Sequence, residues 1–313
     1  MPPNDDAFAQ FDPLLRAADI AASPWQKSRY GPDLDVLRDL LTLPISAGDK
    51  QESGRPAKAF DAWIAQELRR AGFPPDGVWP RTRRPRALPD DLAPLEEGLE
   101  ILAEELAKSE GAGEKRLKPQ GLRRAIRRLG KLLPGAPDAY ILGDFYSKQI
   151  DVAISSWRRG PDVLISTKTM FSSYRKNLKN RHEEAVGEVM SLRARHPMAT
   201  MGYAYLVRRN VYDEEGAYAI LFDILERLRR PGEAFDATML LVADWDDADP
   251  SPDVIRIDQP ADELDASRFF EDIINEVTIR SPIKEHVEVR RRRDGEPVGG
   301  LPDEGDQPDD ADE

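Results

Sequence analysis

The chain has 313 residues, of which 40% are hydrophobic and 7% aromatic, enough for one large domain with a buried core. It contains no cysteine, which excludes disulfides and thiolate metal sites, and its three histidines (His182, His196 and His286) are too scattered for a zinc site. No apolar run approaches the roughly 18 residues of a membrane span, and the N-terminus MPPNDDAFAQ lacks signal-peptide character. We therefore expect a soluble, cytoplasmic protein without a membrane partner.

The net charge of −13 is unevenly distributed along the chain. Residues 303–313 hold seven acids and no base, which leaves −6 for the rest, and this tail is predicted to be disordered. Local basic patches, rather than net charge, set the affinity of a protein for phosphates. Solvated helix faces would explain many such patches equally well. The basic clusters are Arg81, Arg83, Arg84 and Arg86; Arg123, Arg124, Arg127 and Arg128; Arg158 and Arg159; Lys176, Lys179 and Arg181; Arg208 and Arg209; and Arg290 to Arg293.

The first half of the chain is predicted to be helical. Residues 1–55 form a helical N-terminal region that ends in the polar linker ISAGDKQESGRP. An acidic amphipathic helix followed by a basic one predicts a helical insertion at about 88–134. The predicted helices span 7–22, 33–42, 57–72, 91–109 and 118–133.

From residue 138 onward, strand-like and helix-like segments alternate, which predicts an α/β fold. The predicted strands span 139–143, 149–156, 162–170, 201–208 and 238–244, and the predicted helices span 177–195, 215–230 and 263–280.

The segment QIDVAISSWRRGPDVLISTKTM, residues 149–170, carries the candidate chemistry. Asp151 lies on its first strand, and Ser166 and Lys168 lie on its second. Because side chains alternate along a strand, Ser166 and Lys168 share one face. Asp151 and Lys168 on two neighbouring strands suit the metal-dependent hydrolysis of phosphodiesters. Such a site usually has a second acid, and Ser166 occupies its position.

This pattern resembles the PD-(D/E)xK nuclease superfamily, whose fold most type II restriction endonucleases share. Asp151 matches the first acid and Lys168 the lysine, whereas Ser166 departs from the middle acid. The resemblance covers roughly 138–245 and the helix at 57–72. It implies a restriction-endonuclease-like core, a central mixed sheet flanked by helices, within a nuclease domain at 56–290. The acidic tail, 291–313, would lie outside this domain.

The helix predicted at 177–195 offers carboxylates that could replace the missing acid. At about 100° per residue, Glu188 lies about 60° and Glu184 about 100° from Ala185, which is in the apolar stripe. Either carboxylate therefore flanks the buried face of the helix and can lean toward Lys168.

The resemblance extends to a variant among restriction endonucleases in which Ser-x-Lys replaces Glu-x-Lys. In that variant the displaced Glu comes from the following helix, at an interval similar to that from Lys168 to Glu184. It implies that Glu184 is the relocated acid, with Glu188 as the alternative. A surface ion pair between Glu184 and Arg181 is the competing explanation.

Glu67 is a second informative acid, because it lies in the middle of an apolar stripe formed by Phe60, Ile64 and Ala71. A carboxylate there is costly unless it is paired or bound to a metal. Superfamily nucleases often direct a Glu of this first helix into the active site, and Glu67 is similar to that residue. A buried salt bridge with an arginine is the alternative.

Three other assignments are weaker. Asp162 lies only four residues from Ser166 and is expected in a turn, and Asp144 is a poorer candidate than Asp151 for the first acid. A nucleophilic Ser166 with Lys168 as its base would need an oxyanion motif, and no glycine motif of that kind surrounds it.

The resemblance implies a Mg²⁺-dependent endonuclease (Mn²⁺ could substitute) that hydrolyses DNA phosphodiester bonds, in a restriction system directed at foreign DNA. Asp151 and Glu184, with Glu67 directly or through a water, would hold the metal. Lys168 would orient the attacking water, and Ser166 would hydrogen-bond Glu184 or a metal-bound water. A homodimer acting on double-stranded DNA is expected, since symmetric oligomers suit symmetric DNA.

Contacts with DNA are expected from basic residues in three parts of the chain. They are Arg175, Lys176 and Lys179; Arg81, Arg83 and Arg84; and Arg123, Arg124 and Arg127. Two alternatives stay open: a DNA repair nuclease, and a catalytically inactive DNA-binding or interaction module on the same fold.

Overall fold

The computed structural model describes residues 6–89, 92–109, 138–156, 158–230, 234–248, 251, 253 and 255–295. These residues form an α/β fold in which a mixed six-stranded sheet is flanked by helices, so the predicted fold class is confirmed at this level. None of the described helices has the length and apolar character needed to cross a bilayer.

The helices and the strands are each numbered in the order in which they occur along the chain. The helices are α1 (Asp12–Ala17), α2 (Leu34–Ser46), α3 (Arg55–Arg70), α4 (Ala93–Ser109), α5 (Tyr174–Arg195), α6 (Ala217–Leu228), α7 (Ala266–Arg280) and α8 (Val287–Asp294). The strands are β1 (Trp25–Gln26), β2 (Arg29–Tyr30), β3 (Val78–Trp79), β4 (Ala139–Leu142), β5 (Ser147–Ile150), β6 (Val152–Ser156), β7 (Gly160–Met170), β8 (Thr200–Arg208), β9 (Ala237–Asp244) and β10 (Arg256–Asp258).

The main sheet has the strand order β10-β9-β8-β7-β6-β3. Strands β7, β8 and β9 are parallel to one another, whereas β10 pairs antiparallel with β9, β6 with β7, and β3 with β6. Helices α5 and α6 make the crossovers between the parallel strands, which a short turn could not bridge. Two separate hairpins, β1–β2 and β4–β5, complete the strand pairing.

Hydrophobic layers cover both faces of the central strands. Helices α3 and α7 pack on one face, for example through Trp63 and Phe270, and α5 and α6 pack on the other, for example through Val189 and Leu221. Strands buried on both faces are hydrophobic throughout rather than alternating, as the sequence of β9 shows. The sheet thereby fixes which side chains of β7 point toward α3 and which point toward α5.

The predicted single strand at 149–156 is divided in two at Asp151. Strand β5 pairs with β4, whereas β6 pairs with β7 in the main sheet, so the chain changes sheets at this residue. The short edge strands β3 and β10 were not predicted, because two or three residues are too few to show a periodicity.

Two predicted domain boundaries differ from the structure. Helix α8 continues to Asp294, buries Val289 and donates hydrogen bonds from Arg292 to two carbonyls, so the fold extends beyond residue 290. The N-terminal helices share one core with α3, since Phe11 and Leu37 pack in the same cluster as Phe60. The basic helix predicted at 118–133 and residues 296–313 of the tail lie outside the described residues.

Gly202 of β8 allows α7 to pack closely against the sheet. A Cβ there would lie 3.0 Å from Ile165 Cγ1 and Phe269 Cζ and 3.1 Å from Ile273 Cδ1. We expect Gly202→Ala to lower the free energy of unfolding by about 1–3 kcal/mol through overpacking, measured by urea denaturation.

The matched control is Gly187→Ala in α5, where a Cβ has no neighbour within 4 Å. It removes a helix-interior glycine from an exposed position and should raise the stability by about 0.5–1 kcal/mol. Equal effects from the two variants would contradict the close packing described for Gly202.

Candidate active site

Asp151 lies beside the Ser-x-Lys segment of β7. Its Oδ2 atom accepts the backbone N–H of Thr167 at 2.8 Å, and Thr167 stands between Ser166 and Lys168. The break between β5 and β6 makes this contact possible, because it turns the aspartate out of the regular ladder. The structure therefore brings Asp151, Ser166 and Lys168 together at one place.

Asp61 of α3 joins this group from the opposite face of β7. The Thr167 hydroxyl donates to Asp61 Oδ1, and Lys58 Nζ lies 3.0 Å from Asp61 Oδ2. Asp61 is fully buried, so its carboxylate depends on these two partners. A continuous chain of hydrogen bonds thus runs from Asp61 through Thr167 to Asp151.

Asp61 was not predicted as a site residue from the sequence. Helix α3 is buried almost all round, from Ala59 to Arg69, so its apolar periodicity does not distinguish one acid from another. The available indication was Lys58, which lies three residues earlier and therefore on the same helix face.

The surroundings of Asp151 disfavour its charged form. Burial is the largest cause, the nearby Asp61 carboxylate is the second, and together they raise the pKa of Asp151 to about 7. Lys168, the Thr167 N–H and Lys58 oppose this shift. Asp151 is consequently a carboxyl group that exchanges its proton near neutral pH.

Ser166 contacts helix α5 on the other face of β7. Its hydroxyl donates to Glu188 Oε1 at 2.9 Å, and Ser166 itself is buried. Parallel pairing places Tyr203 beside Ser166 and Tyr205 beside Lys168. Burial first, and then the Tyr205 hydroxyl, raise the pKa of Tyr203 far above its ordinary value, so its hydroxyl stays protonated.

Glu184 lies on the more exposed side of α5 and forms an ion pair with Arg181 at 2.8 Å. Burial opposes its ionisation, but the Arg181 hydrogen bond and the charges of Lys168 and Lys148 outweigh that effect and lower its pKa. Glu184 is therefore near Lys168 without contacting Ser166. The helix acid that the structure joins to Ser166 is Glu188, which was the predicted alternative.

Glu67 is not brought to this site. Its carboxylate accepts from Arg70 Nη1 at 2.7 and 2.8 Å, from the Tyr30 hydroxyl at 3.1 Å and from the Asp33 N–H at 3.3 Å. Six residues of helix separate it from Asp61, which means about 9 Å along the axis and about 120° around it. This buried ion pair replaces the metal-binding role predicted for Glu67.

The arginines predicted to bind DNA near residue 81 are engaged within the protein. Arg81 is buried, with Nη2 bonded to Glu96 at 2.5 Å and Asp76 at 3.0 Å, so it cannot reach a phosphate and that prediction is wrong. Arg83 pairs with Asp76, and Arg84, 67% exposed, pairs with Asp6.

Other predicted contacts remain on the surface. Arg175, Lys176 and Lys179 are exposed on the first turns of α5. The predicted residues Arg123, Arg124 and Arg127 lie outside the described part of the chain.

The site contains oxygen atoms that could bind a metal ion, but few carboxylates. Over the described residues, no three or more His, Asp or Glu side chains are gathered where they could share one metal ion. Asp151 and Glu188 nevertheless approach adjacent residues of β7, whose Cα atoms are about 3.8 Å apart. Mg²⁺ keeps several waters and is often bound through only one or two carboxylates, so the oxygen donors of Asp151 and Glu188 are of the kind that this ion takes.

Comparison of the chain with protein-family models, with curated proteins and with solved structures gave no match. The assignment of a role to this site therefore rests on its geometry.

The raised pKa of Asp151 makes stability depend on pH. Between the ordinary carboxyl pKa of 3.8 and about 7 the folded state keeps a proton that the unfolded state releases, so the free energy of unfolding falls as pH rises. Above about pH 7 the full penalty remains. We expect Asp151→Asn to be more stable than the parent protein at pH 8, by about 2 kcal/mol, and no more stable near pH 4. Urea denaturation across this range in the absence of divalent cations measures the difference.

Asp236→Asn provides a control of opposite sign. Burial opposes ionisation of Asp236, but hydrogen bonds from Arg280 and the Met201 N–H outweigh it and lower its pKa. Its stabilising charge is present above the ordinary carboxyl pKa, so this variant should be less stable than the parent at pH 8. A destabilised Asp151→Asn at that pH would contradict the charge repulsion described here.

Proposed function

We propose that this protein is a Mg²⁺-dependent endonuclease that hydrolyses phosphodiester bonds in double-stranded DNA, on the plan of the PD-(D/E)xK superfamily. The observation that supports this most directly is that Asp151 and Glu188 hydrogen-bond to adjacent residues of β7, Thr167 and Ser166. Lys168 follows immediately on the same strand.

The order of the elements supports a restriction-endonuclease-like core. Helix α3 precedes the antiparallel strands β3, β6 and β7; α5 then crosses over to β8, which is parallel to β7. This is the helix-strand-strand-strand-helix-strand order expected of the superfamily. Asp151 precedes its second strand, and Ser166 and Lys168 lie on its third.

Asp151 and Glu188 would be the residues that hold the metal. When bound, Mg²⁺ would polarise the phosphoryl group and lower the pKa of a coordinated water. A cation would also relieve the repulsion between Asp61 and Asp151 that burial intensifies. Asp61 is a positioning residue, because it acts on Asp151 through Thr167.

Lys168 and Ser166 would act on the substrate and on Glu188. The Lys168 ammonium would hydrogen-bond a phosphate oxygen or the attacking water and would offset the negative charge that develops in the transition state. The Ser166 hydroxyl fixes the orientation of Glu188. Ser166 therefore takes over part of the task of the absent middle acid, while Glu188 supplies the carboxylate.

The exposed cations at the start of α5, Arg175, Lys176 and Lys179, would contact DNA phosphates. We propose a cytoplasmic homodimer that cuts both strands, in a restriction-type role against foreign DNA. A DNA repair nuclease would use the same chemistry.

A second candidate is a DNA-binding module that has lost catalysis. It is favoured by the small number of acids: Glu184 is paired with Arg181, Glu67 with Arg70, and Asp151 holds a proton near neutral pH. The two candidates differ in whether the site binds Mg²⁺.

Lys168→Ala tests the catalytic assignment. Loss of one preorganised cation at a transition state costs about 10²–10³-fold in rate, so we expect Mg²⁺-dependent cleavage of unmethylated phage DNA to fall by at least about 100-fold. DNA binding, measured in the absence of Mg²⁺, should change little.

Lys179→Ala serves as the control, because this lysine is 82% exposed and distant along α5 from the Ser166–Glu188 contact. It should weaken DNA binding slightly and leave the rate on bound DNA intact. Undiminished cleavage by Lys168→Ala would refute the proposed mechanism.

Glu188→Gln and Glu184→Gln decide which acid of α5 binds the metal. Glutamine preserves size and can still accept the Ser166 hydrogen bond, but it lacks the charge. We expect Glu188→Gln to weaken Mg²⁺ binding by about 10–100-fold, because the loss of even an outer-shell partner of a metal site has an effect of that size. Glu184→Gln should change Mg²⁺ binding by less than about threefold. Calorimetric titration of Mg²⁺ at pH 8 measures both.

If the parent protein binds no Mg²⁺ in this titration, the inactive DNA-binding module becomes the better assignment. The reverse order of the two variants would return the metal-binding role to Glu184.

A further inference from the structure

The β4–β5 hairpin presents large apolar side chains to solvent. On its outer face Tyr140 and Leu142 are 59% and 44% exposed, and at its turn Phe145 and Tyr146 are 86% and 56% exposed. We call these four residues the aromatic hairpin face. A two-stranded ribbon with this much exposed apolar surface is unfavourable in water unless the surface has a ligand.

The hairpin is held rigidly on α5. The Asp144 N–H donates to Ser191 O at 3.0 Å and to Ser191 Oγ at 3.1 Å, and His196 Nε2 lies 2.8 Å from Leu142 O. Gly143 permits this close approach, since a Cβ there would lie 2.5 Å from Ser191 Oγ. Phe145 is thus projected from a fixed turn, which lowers the entropy lost on binding.

The hairpin is also continuous with the candidate active site. Strand β5 ends one residue before Asp151. Lys148 of β5 lies over the Tyr146 ring at 4.8 Å, and its charge acts on Glu184 together with that of Lys168. Lys148 therefore lies near the groups proposed to cut the phosphodiester, and the exposed rings of the same hairpin extend from there to its turn.

From this placement we infer that the hairpin inserts Phe145 into the base stack of duplex DNA a few base pairs from the bond to be cut, because the four-residue strand β5 separates its turn from Asp151 by about 13 Å. This inference rests on the proposed function and adds a mode of substrate binding to it. Apolar side chains can enter a base step and partly unstack it, and aromatic rings can stack on the exposed bases. Lys148 would neutralise a phosphate of the opened step.

A second protein copy fits this surface less well. A stable protein interface buries about 800 Å² on each partner, whereas a fully buried aromatic side chain contributes only about 150–250 Å². Three partly exposed rings and one leucine fall short of that area. The cation–π contact between Lys148 and Tyr146, on a hairpin that leads into the candidate active site, suits a nucleic acid.

The test uses duplex DNA of pooled random sequence that contains 2-aminopurine, whose fluorescence rises when it is unstacked. In a Lys168→Ala background, which prevents cleavage, we expect binding with a rise in fluorescence. Adding Phe145→Ala should abolish the rise and weaken binding by about tenfold, while Phe145→Trp should retain both.

Ile283→Ala is the matched control, because Ile283 is also 86% exposed but lies on the segment between α7 and α8. It should leave binding and fluorescence intact. Thermal melting checks that each variant is folded.

Three results would overturn the inference: unchanged fluorescence and affinity in Phe145→Ala, a fluorescence rise confined to single strands, or a changed sedimentation coefficient of Phe145→Ala without DNA. The last would assign the surface to a second protein copy. Cleavage by the parent protein is scored separately. A protein that cuts DNA without needing Phe145 overturns only this inference, and one that unstacks DNA through Phe145 but never cuts it overturns only the proposed hydrolysis.

Discussion

One residue of the central sheet hydrogen-bonds to two acids that repel each other. Thr167 donates its backbone N–H to Asp151 and its hydroxyl to Asp61, so the two carboxylates are positioned by a single residue of β7. Lys58 and Lys168 moderate the repulsion without cancelling it, and the pKa of Asp151 remains near 7. The arrangement persists because hydrophobic layers on both faces of the sheet fix β7 against α3. The geometry of the site follows from that packing.

Residues of the same chemical type acquire different properties from their neighbours. Glu67 is neutralised by Arg70 inside the N-terminal core, and Glu184 is paired with Arg181 near the surface. Glu188, four residues after Glu184, contacts a serine hydroxyl and no cation of the described residues at ion-pair distance. Because Glu188 has no cationic partner of this kind, its carboxylate keeps most of its capacity to bind a cation. The group that a carboxylate contacts, more than its burial, therefore distinguishes an acid that stabilises the fold from one that could bind a metal.

The sequence predicted helices and strands well where a periodic pattern extends over many residues. It did not predict side-chain partners that are distant along the chain. Strand β7 and helix α5 were recognised because their patterns extend over many residues, and strand alternation correctly placed Ser166 and Lys168 together. Periodicity showed that Glu67 is buried but could not show that Arg70 and Tyr30 surround it. Likewise, the basic composition around Arg81 gave no indication of Asp76 and Glu96. Asp61 escaped notice because α3 is buried on nearly every side.

The change of sheet at Asp151 has a consequence for how the protein can vary. Hydrogen bonding to Thr167 anchors the aspartate from the side of the main sheet, while the β4–β5 hairpin is secured separately by Ser191 and His196 of the α5 region. Side chains on the exposed face of the hairpin can therefore be replaced without shifting the carboxylate. A scaffold organised in this way separates the proposed DNA-binding hairpin from the proposed catalytic carboxylate. Substitutions on the hairpin surface can therefore change binding while the geometry around Asp151 stays the same.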